Sequence, residues 1–151
     1  MGQRYFPWLV ALAGLFVLRV LAQLIQAVYP VAWLPPFEAW HGAVLPYPLL
    51  VAAQCLIIGV LAWIIVRVRA EAITPRRWKV RVCFLFGGVY FGFMAVRLIG
   101  GLTVLGDHAW FSKTLPAVFH LVLAAFILLL GHYIYRRGAE TAGAAGSTPP
   151  P

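Results

Sequence analysis

Four long apolar stretches constrain this chain more than any other feature of its sequence. The hydrocarbon core of a bilayer is roughly 30 Å thick, and about 20 helical residues cross it. All four stretches reach that length, and a lone strand cannot satisfy its backbone hydrogen bonds in lipid. Each stretch is therefore predicted to be a membrane-spanning helix. The predicted spans cover about residues 8–29, 47–66, 82–105 and 114–135.

The composition excludes a water-soluble domain for a related reason. Hydrophobic residues make up 63% of the 151 residues, and charged residues make up only 11%. Soluble domains are roughly half apolar and about a quarter charged. So few charges cannot cover the surface of a domain of this size, so the surplus apolar surface is expected to face lipid.

The net charge of +8 indicates which way the chain is inserted, and it does not predict a nucleic-acid partner. Of the 12 basic residues, six lie between the second and third spans, and two more follow the fourth span. The positive-inside rule then places both termini in the cytoplasm. We therefore predict an all-α integral membrane protein of the bacterial inner (plasma) membrane, an antiparallel four-helix transmembrane bundle with N-in/C-in topology. Residues 1–137 form the bundle, and the small polar residues 138–151 are expected to be a disordered cytoplasmic tail.

The predicted outer loop between the first two spans is rich in proline and aromatic residues. It reads PVAWLPPFEAWHGAVLPYP over residues 30–48. The prolines prevent a continuous helix, and the aromatic side chains favour the headgroup region. A short helix over residues 37–43 would place Glu38 and His41 on one face. We expect this capping loop to be either an interfacial anchor or a lid over a site between the helices.

Polar side chains in all four spans fall in the predicted outer half of the bilayer. Three of them on the first span lie within roughly 60° of one another around the helix axis, and the other spans each contribute one, about 10 Å from the outer end. Such residues usually face the interior of a bundle. The predicted ligand-binding residues are Arg19, Gln23, Gln26, Gln54, Arg97, His120 and, from the capping loop, Glu38.

The two arginines in this set have no acidic residue within any predicted span. A guanidinium is effectively never deprotonated, so burying one without a partner is costly. Glu38 and Asp107 in the outer loops are the candidate protein partners for Arg19 and Arg97. An anionic ligand is the alternative, since a phosphate, a carboxylate or a quinone oxygen matches guanidinium donors. A third interpretation is a purely structural polar network that holds the helices together.

Signals for cofactors and catalysis are weak. His120 and His132 lie on the same span about 18 Å apart, which argues against a haem held by two histidines from facing helices. The chain has neither a nucleophile elbow nor a glycine-rich phosphate loop, so the sequence leaves open whether the protein is an enzyme. Four outer-loop groups have no specific metal-ligand spacing, and no metal is assigned to them: Glu38, His41, Asp107 and His108.

Gly88 and Gly92 form a GxxxG pair that predicts close helix packing inside the bundle, with homodimerisation as the alternative. The functional hypothesis is a small multi-pass membrane protein with a polar pocket in the outer half of the bilayer. That pocket would bind an anionic or carbonyl-bearing amphiphile, either a lipid or a quinone. The alternatives are a non-catalytic structural or assembly subunit of a larger membrane complex, and a small transporter. The expected partners are membrane lipids and either further copies of the chain or the subunits of such a complex.

Overall fold

The prediction of an all-helical chain with four long apolar helices is confirmed for the described residues. The structure, a computed structural model, describes residues 2–40, 46–103 and 114–146. Helices account for 87% of these residues, and no strand occurs among them. Four of the helices are long enough and apolar enough to cross a membrane. In chain order the helices are α1 (Gly2–Val28), α2 (Phe37–Trp40), α3 (Tyr47–Arg69), α4 (Arg77–Leu102) and α5 (Thr114–Gly146).

The long helices extend beyond the predicted spans, chiefly at the end rich in basic residues. Helix α3 continues to Arg69, and α4 already begins at Arg77. The span limits mark the apolar core of each helix, whereas backbone hydrogen bonding continues into the charged residues that flank it. At the other end of α3, Pro46 precedes the helix and Pro48 lies in its first turn, where a missing backbone N–H costs nothing.

Helix α5 also continues through residues 138–146, where the sequence predicts the beginning of a disordered tail. This segment, GAETAGAAG, contains four alanines, the residue with the highest intrinsic helix propensity. Because the segment prolongs an existing helix, it avoids the cost of nucleating a new one. The structure thus differs from the prediction over 138–146, and the remaining tail residues lie outside the described residues.

The four long helices pack side by side in the order α3, α1, α5, α4. The core lies where α1 meets its two neighbours, α3 and α5. Because lipid offers no hydrophobic driving force between helices, this core stabilises the bundle through van der Waals packing. Its largest side chains include Leu9, Phe16, Leu61, Phe126 and Tyr133. Outside this core, many large apolar side chains of α1, α3 and α4 are exposed, as expected for a surface that faces lipid.

Contacts between the helix ends show which ends are neighbours. The backbone N–H of Gly2 donates to Glu71 Oε1, just after α3, over 2.9 Å. Near the start of α1, the ring of Tyr5 lies edge-on to Tyr133, towards the end of α5, with 5.5 Å between ring centroids. The beginning of α1 therefore lies beside the end of α3 and the late part of α5.

The close contact between α4 and α5 uses glycines other than the predicted GxxxG pair. A Cβ atom added to Gly131 would lie 2.8 Å from the Cβ of Cys83, and one added to Gly87 would lie 3.0 Å from a leucine side chain of α5. A Cβ at Gly88 or Gly92 would meet no described atom within 4 Å. The prediction that the pair packs inside the bundle is therefore wrong for the described residues, because the rotation of α4 turns the adjacent position, Gly87, towards α5.

Candidate functional site

Two glutamines form a buried link between α1 and α3. The side-chain Nε2 of Gln54 donates to Oε1 of Gln23 over 3.0 Å, and the two residues are only 3% and 1% exposed. The remaining amide atoms, Gln23 Nε2 and Gln54 Oε1, are buried and have no hydrogen-bond partner among the described residues. Buried polar atoms usually have a partner, so this pair has one donor and one acceptor that the described residues leave unsatisfied.

Arg19 lies one helical turn before Gln23 and connects α1 to the capping loop. Its guanidinium donates to the backbone oxygen of Trp40, at the end of α2, over 3.1 Å. The same guanidinium lies over the ring of Phe119 on α5, 5.9 Å from the ring centroid. A guanidinium carries five N–H donors, and this backbone oxygen is its one acceptor among the described residues. Arg19 therefore retains donor capacity although the residue is buried.

The capping loop is held down by its aromatic residues. Trp40 is buried, stacks on Phe119 with 6.5 Å between ring centroids, and donates from Nε1 to the backbone oxygen of Pro35 over 2.9 Å. Phe37 packs edge-on against Tyr47 at the start of α3, at 5.2 Å. These contacts join the loop to both α3 and α5, so α2 lies over the end of the bundle at which the two glutamines are found.

Gln26, the third member of the predicted stripe, has a local partner. Its Oε1 accepts a hydrogen bond from the backbone N–H of Val31 over 3.0 Å. This N–H follows the end of α1 and lies outside any helix, so the side chain replaces a missing backbone acceptor. In the structure the Gln26 oxygen therefore stabilises the turn into the capping loop.

A second polar pair joins α4 to α5. The hydroxyl of Tyr90 hydrogen-bonds to Nδ1 of His120 at 2.5 Å, and the two rings are nearly perpendicular with their centroids 5.8 Å apart. The positive charges of Arg19 and Arg97 both act on the His120 imidazole, so the three side chains lie in one region of the bundle. Arg97 itself is buried.

The structure thus divides the predicted set into smaller groups. Gln23 and Gln54 are paired, while Arg19 and Arg97 each lie within electrostatic range of His120. Glu38 lies on the exposed side of α2. The described acceptor of Arg19 is the Trp40 backbone oxygen, and Asp107, one of the two carboxylates considered as its partner, lies outside the described residues.

Sequence reasoning missed three aromatic residues of this region: Trp40, Tyr90 and Phe119. Tyr90 precedes Arg97 by seven residues, a spacing that places both on one face of a helix, so this signal was present in the sequence. Trp40 contributes a backbone oxygen, and its role depends on how the capping loop folds back. No sequence pattern identifies such an acceptor.

The residues weighed for haem and metal binding do not gather in the described part of the chain. Nδ1 of His120 is hydrogen-bonded to the hydroxyl of Tyr90. The His132 ring lies beside the Tyr5 ring near the start of α1, with 5.9 Å between ring centroids. No group of three or more metal-ligating side chains occurs among the described residues. Three of the four outer-loop groups considered for metal binding, namely His41, Asp107 and His108, lie outside those residues.

No protein-family model, curated protein or solved structure matches the chain.

Proposed function

We propose that the protein binds the polar head of an anionic or carbonyl-bearing amphiphile, either a lipid or a quinone, between α1, α3 and the capping loop. The observation that carries this proposal is the buried Gln23–Gln54 pair with its unused donor and acceptor. Arg19, one turn away on the same helix, adds guanidinium donors beside the same loop. Together these groups offer several N–H donors and one acceptor in an otherwise apolar region.

The proposal does not depend on which amide atom of each glutamine is assigned as oxygen and which as nitrogen. One hydrogen bond between two glutamine side chains always leaves one amide oxygen and one amide nitrogen unused. Leaving a buried donor or acceptor unsatisfied costs about 1–3 kcal/mol. A phosphate, carboxylate or carbonyl oxygen satisfies the nitrogen and the guanidinium, and a hydroxyl or bound water satisfies the oxygen.

The proposed setting is a bacterial plasma membrane that the four long helices cross as an antiparallel bundle, with both termini in the cytoplasm. The concentration of basic residues around residues 67–81 supports this orientation. The contacts of Gly2 with Glu71 and of Tyr5 with Tyr133 support antiparallel neighbours. Reporter fusions at each terminus test the orientation, because activity of a periplasm-dependent reporter at either end would contradict it.

Native mass spectrometry of the detergent-purified protein tests the binding function directly. We expect wild-type protein to carry a small-molecule adduct, and the double variant Gln23→Leu/Gln54→Leu to lose it while keeping its helical circular dichroism spectrum. Phe126→Leu is the matched control, since it shortens a buried apolar side chain of the core and leaves both glutamines in place. It should keep the adduct. Wild-type protein without an adduct, or a double variant that carries the same adducts in the same number of copies, would exclude the site.

The alternative function, a structural subunit of a larger assembly, is favoured by one observation. Gly88 and Gly92 present an open small-residue surface on α4 that no described part of the protomer covers. Small residues at this spacing allow close helix approach in lipid. If this surface binds another subunit, Gly88→Leu/Gly92→Leu should shift the native mass from a complex to the 16.7 kDa protomer. A wild-type protein that is already monomeric in mild detergent and in nanodiscs would argue against a self-assembling subunit.

A further inference from the structure

Helices α3 and α4 are consecutive in the chain but leave a crevice between them. No Cα atom of α3 lies within 8 Å of one in α4. At the end where residues 70–76 connect the two helices, the gap forms a cavity of about 270 Å³. Leu130 and Ile134 line it from α5, and Ala72, Ile73 and Thr74 line it from the connection. The cavity is therefore bounded by three helices and one loop, and it faces the surroundings of the bundle along the open α3–α4 seam.

The two sides of the crevice carry tryptophans. Trp63 on α3 is 62% exposed, Trp78 on α4 is 59% exposed, and both line the cavity. Tryptophan is enriched where the hydrocarbon core meets the headgroups, because its ring is apolar and its indole N–H is polar. Their position at the end of the helices agrees with a crevice at that boundary.

Two cations are held at the same crevice by the connection between the helices. The guanidinium of Arg67 lies over the Trp63 ring, 5.5 Å from its centroid, and donates to the backbone oxygen of Ala72 over 3.2 Å. The ammonium of Lys79 donates to the backbone and side-chain oxygens of Thr74, each at 3.3 Å. None of the lining residues is acidic. The crevice thus combines an apolar interior with two oriented positive charges.

We propose that this crevice is a specific binding site for one anionic phospholipid. Its phosphate lies between Arg67 and Lys79, and one acyl chain lies along the apolar lining formed by α4 and α5. A basic pocket between membrane helices recognises an anionic headgroup by charge, and the open seam allows entry from within the bilayer. This site lies at the opposite end of α3 from Gln54, so it does not depend on the function proposed above.

The decisive experiment is native mass spectrometry of purified protein titrated with phosphatidylglycerol or with phosphatidylcholine of the same acyl chains. Wild-type protein should bind one phosphatidylglycerol with clear preference. The variant Arg67→Gln/Lys79→Gln removes two positive charges and should reduce that preference about thirtyfold. The matched control is Arg76→Gln/Arg77→Gln, which removes two charges from the same region but from residues outside the crevice lining, and it should keep the preference.

Three results would overturn the proposal. They are equal binding of both lipids by the wild-type protein, an equal loss of preference in the control and test variants, and displacement of the lipid by millimolar glycerol phosphate. The last result would assign the cations to a soluble phosphate, since an acyl chain in the crevice would then contribute nothing.

A second measurement uses protein that keeps Arg67 and Lys79, so it tests the proposal even if the charge variants fail to fold. Cys83 lines the crevice and is half-buried, and the other cysteine, Cys55, lies outside that lining. In a Cys55→Ser background, phosphatidylglycerol should slow maleimide labelling of Cys83 more than phosphatidylcholine does. Equal labelling rates in the two lipids would contradict a specific site.

Discussion

The side chains of Gln23 and Gln54 share one hydrogen bond of 3.0 Å between α1 and α3, and the pair leaves one amide nitrogen and one amide oxygen buried without a partner among the described residues. Lipid offers no water to satisfy these atoms. The hydrogen bonding of this pair is therefore only half satisfied. A ligand-binding function and a purely structural function make different predictions about its two unpaired atoms.

Single and double replacements of the pair should not be additive in stability. Gln23→Leu alone leaves the whole Gln54 amide unpaired, which should cost about 1–3 kcal/mol of unfolding free energy, and Gln54→Leu should behave alike. Replacing both removes every unsatisfied atom, so the double variant should be at least as stable as either single one. Thermal melts in detergent check this, and a double variant that loses the sum of the two single effects would contradict it.

Removing the Arg19 guanidinium should loosen the capping loop. In Arg19→Leu the backbone oxygen of Trp40 loses a charge-assisted hydrogen bond, a contribution of about 1.5–3 kcal/mol. We expect faster proteolysis within residues 30–40 and a lower melting temperature. Arg4→Leu, an exposed arginine near the start of the same helix, is the control and should change neither. Equal proteolysis of both variants would show that Arg19 does not hold the loop.

Tyr90→Phe should weaken the contact between α4 and α5 by about 1 kcal/mol, because Nδ1 of His120 loses its hydroxyl partner in a half-buried position. The melting temperature should fall accordingly, and the ¹⁵N shifts of the His120 ring should change. Tyr29→Phe provides a matched loss of one hydroxyl at a residue that is 75% exposed, and its melting temperature should equal that of the wild type. An unchanged His120 spectrum in Tyr90→Phe would refute the pairing.

Replacing Gly131 by alanine should lower the stability of the protein, whereas replacing Gly88 by alanine should raise it. A Cβ at Gly131 would lie 2.8 Å from the Cβ of Cys83, so α4 and α5 must move apart, at a cost of about 1–3 kcal/mol. At Gly88 the added methyl group meets no described atom within 4 Å, and alanine gains up to about 1 kcal/mol of helix propensity. Melting temperatures in detergent distinguish the two, and a destabilising Gly88→Ala would place a partner against that face.

The helices were predictable because the bilayer imposes simple rules. Apolar length alone located α3 to within a few residues, and Pro46 and Pro48 mark its beginning in the sequence. Length also located α5, but not its end. The apolar run stops near Tyr135, whereas the alanine-rich continuation carries the helix to Gly146. A hydropathy pattern identifies the apolar part of a helix, but it does not identify a helical extension beyond that part.

The polar residues were predictable as a set, but their partners were not. The spacing of Arg19, Gln23 and Gln26 placed them on one stripe of α1, yet each has a different kind of acceptor or donor: a distant backbone oxygen, a side chain on α3 and a nearby backbone N–H. Periodicity determines the face of a helix on which a side chain lies. It contains no information about the chain segment that folds against that face.

What the sequence by itself determined was the number of long helices and the concentration of positive charge at one end, since hydrocarbon thickness and the absence of water act on each segment separately. Only the tertiary structure decided that Gly87 and Gly131 pack where Gly88 and Gly92 do not, and that α3 and α4 separate into a crevice. These outcomes depend on the rotation and spacing of whole helices. Packing between residues far apart in the chain sets both quantities, and no local pattern encodes them.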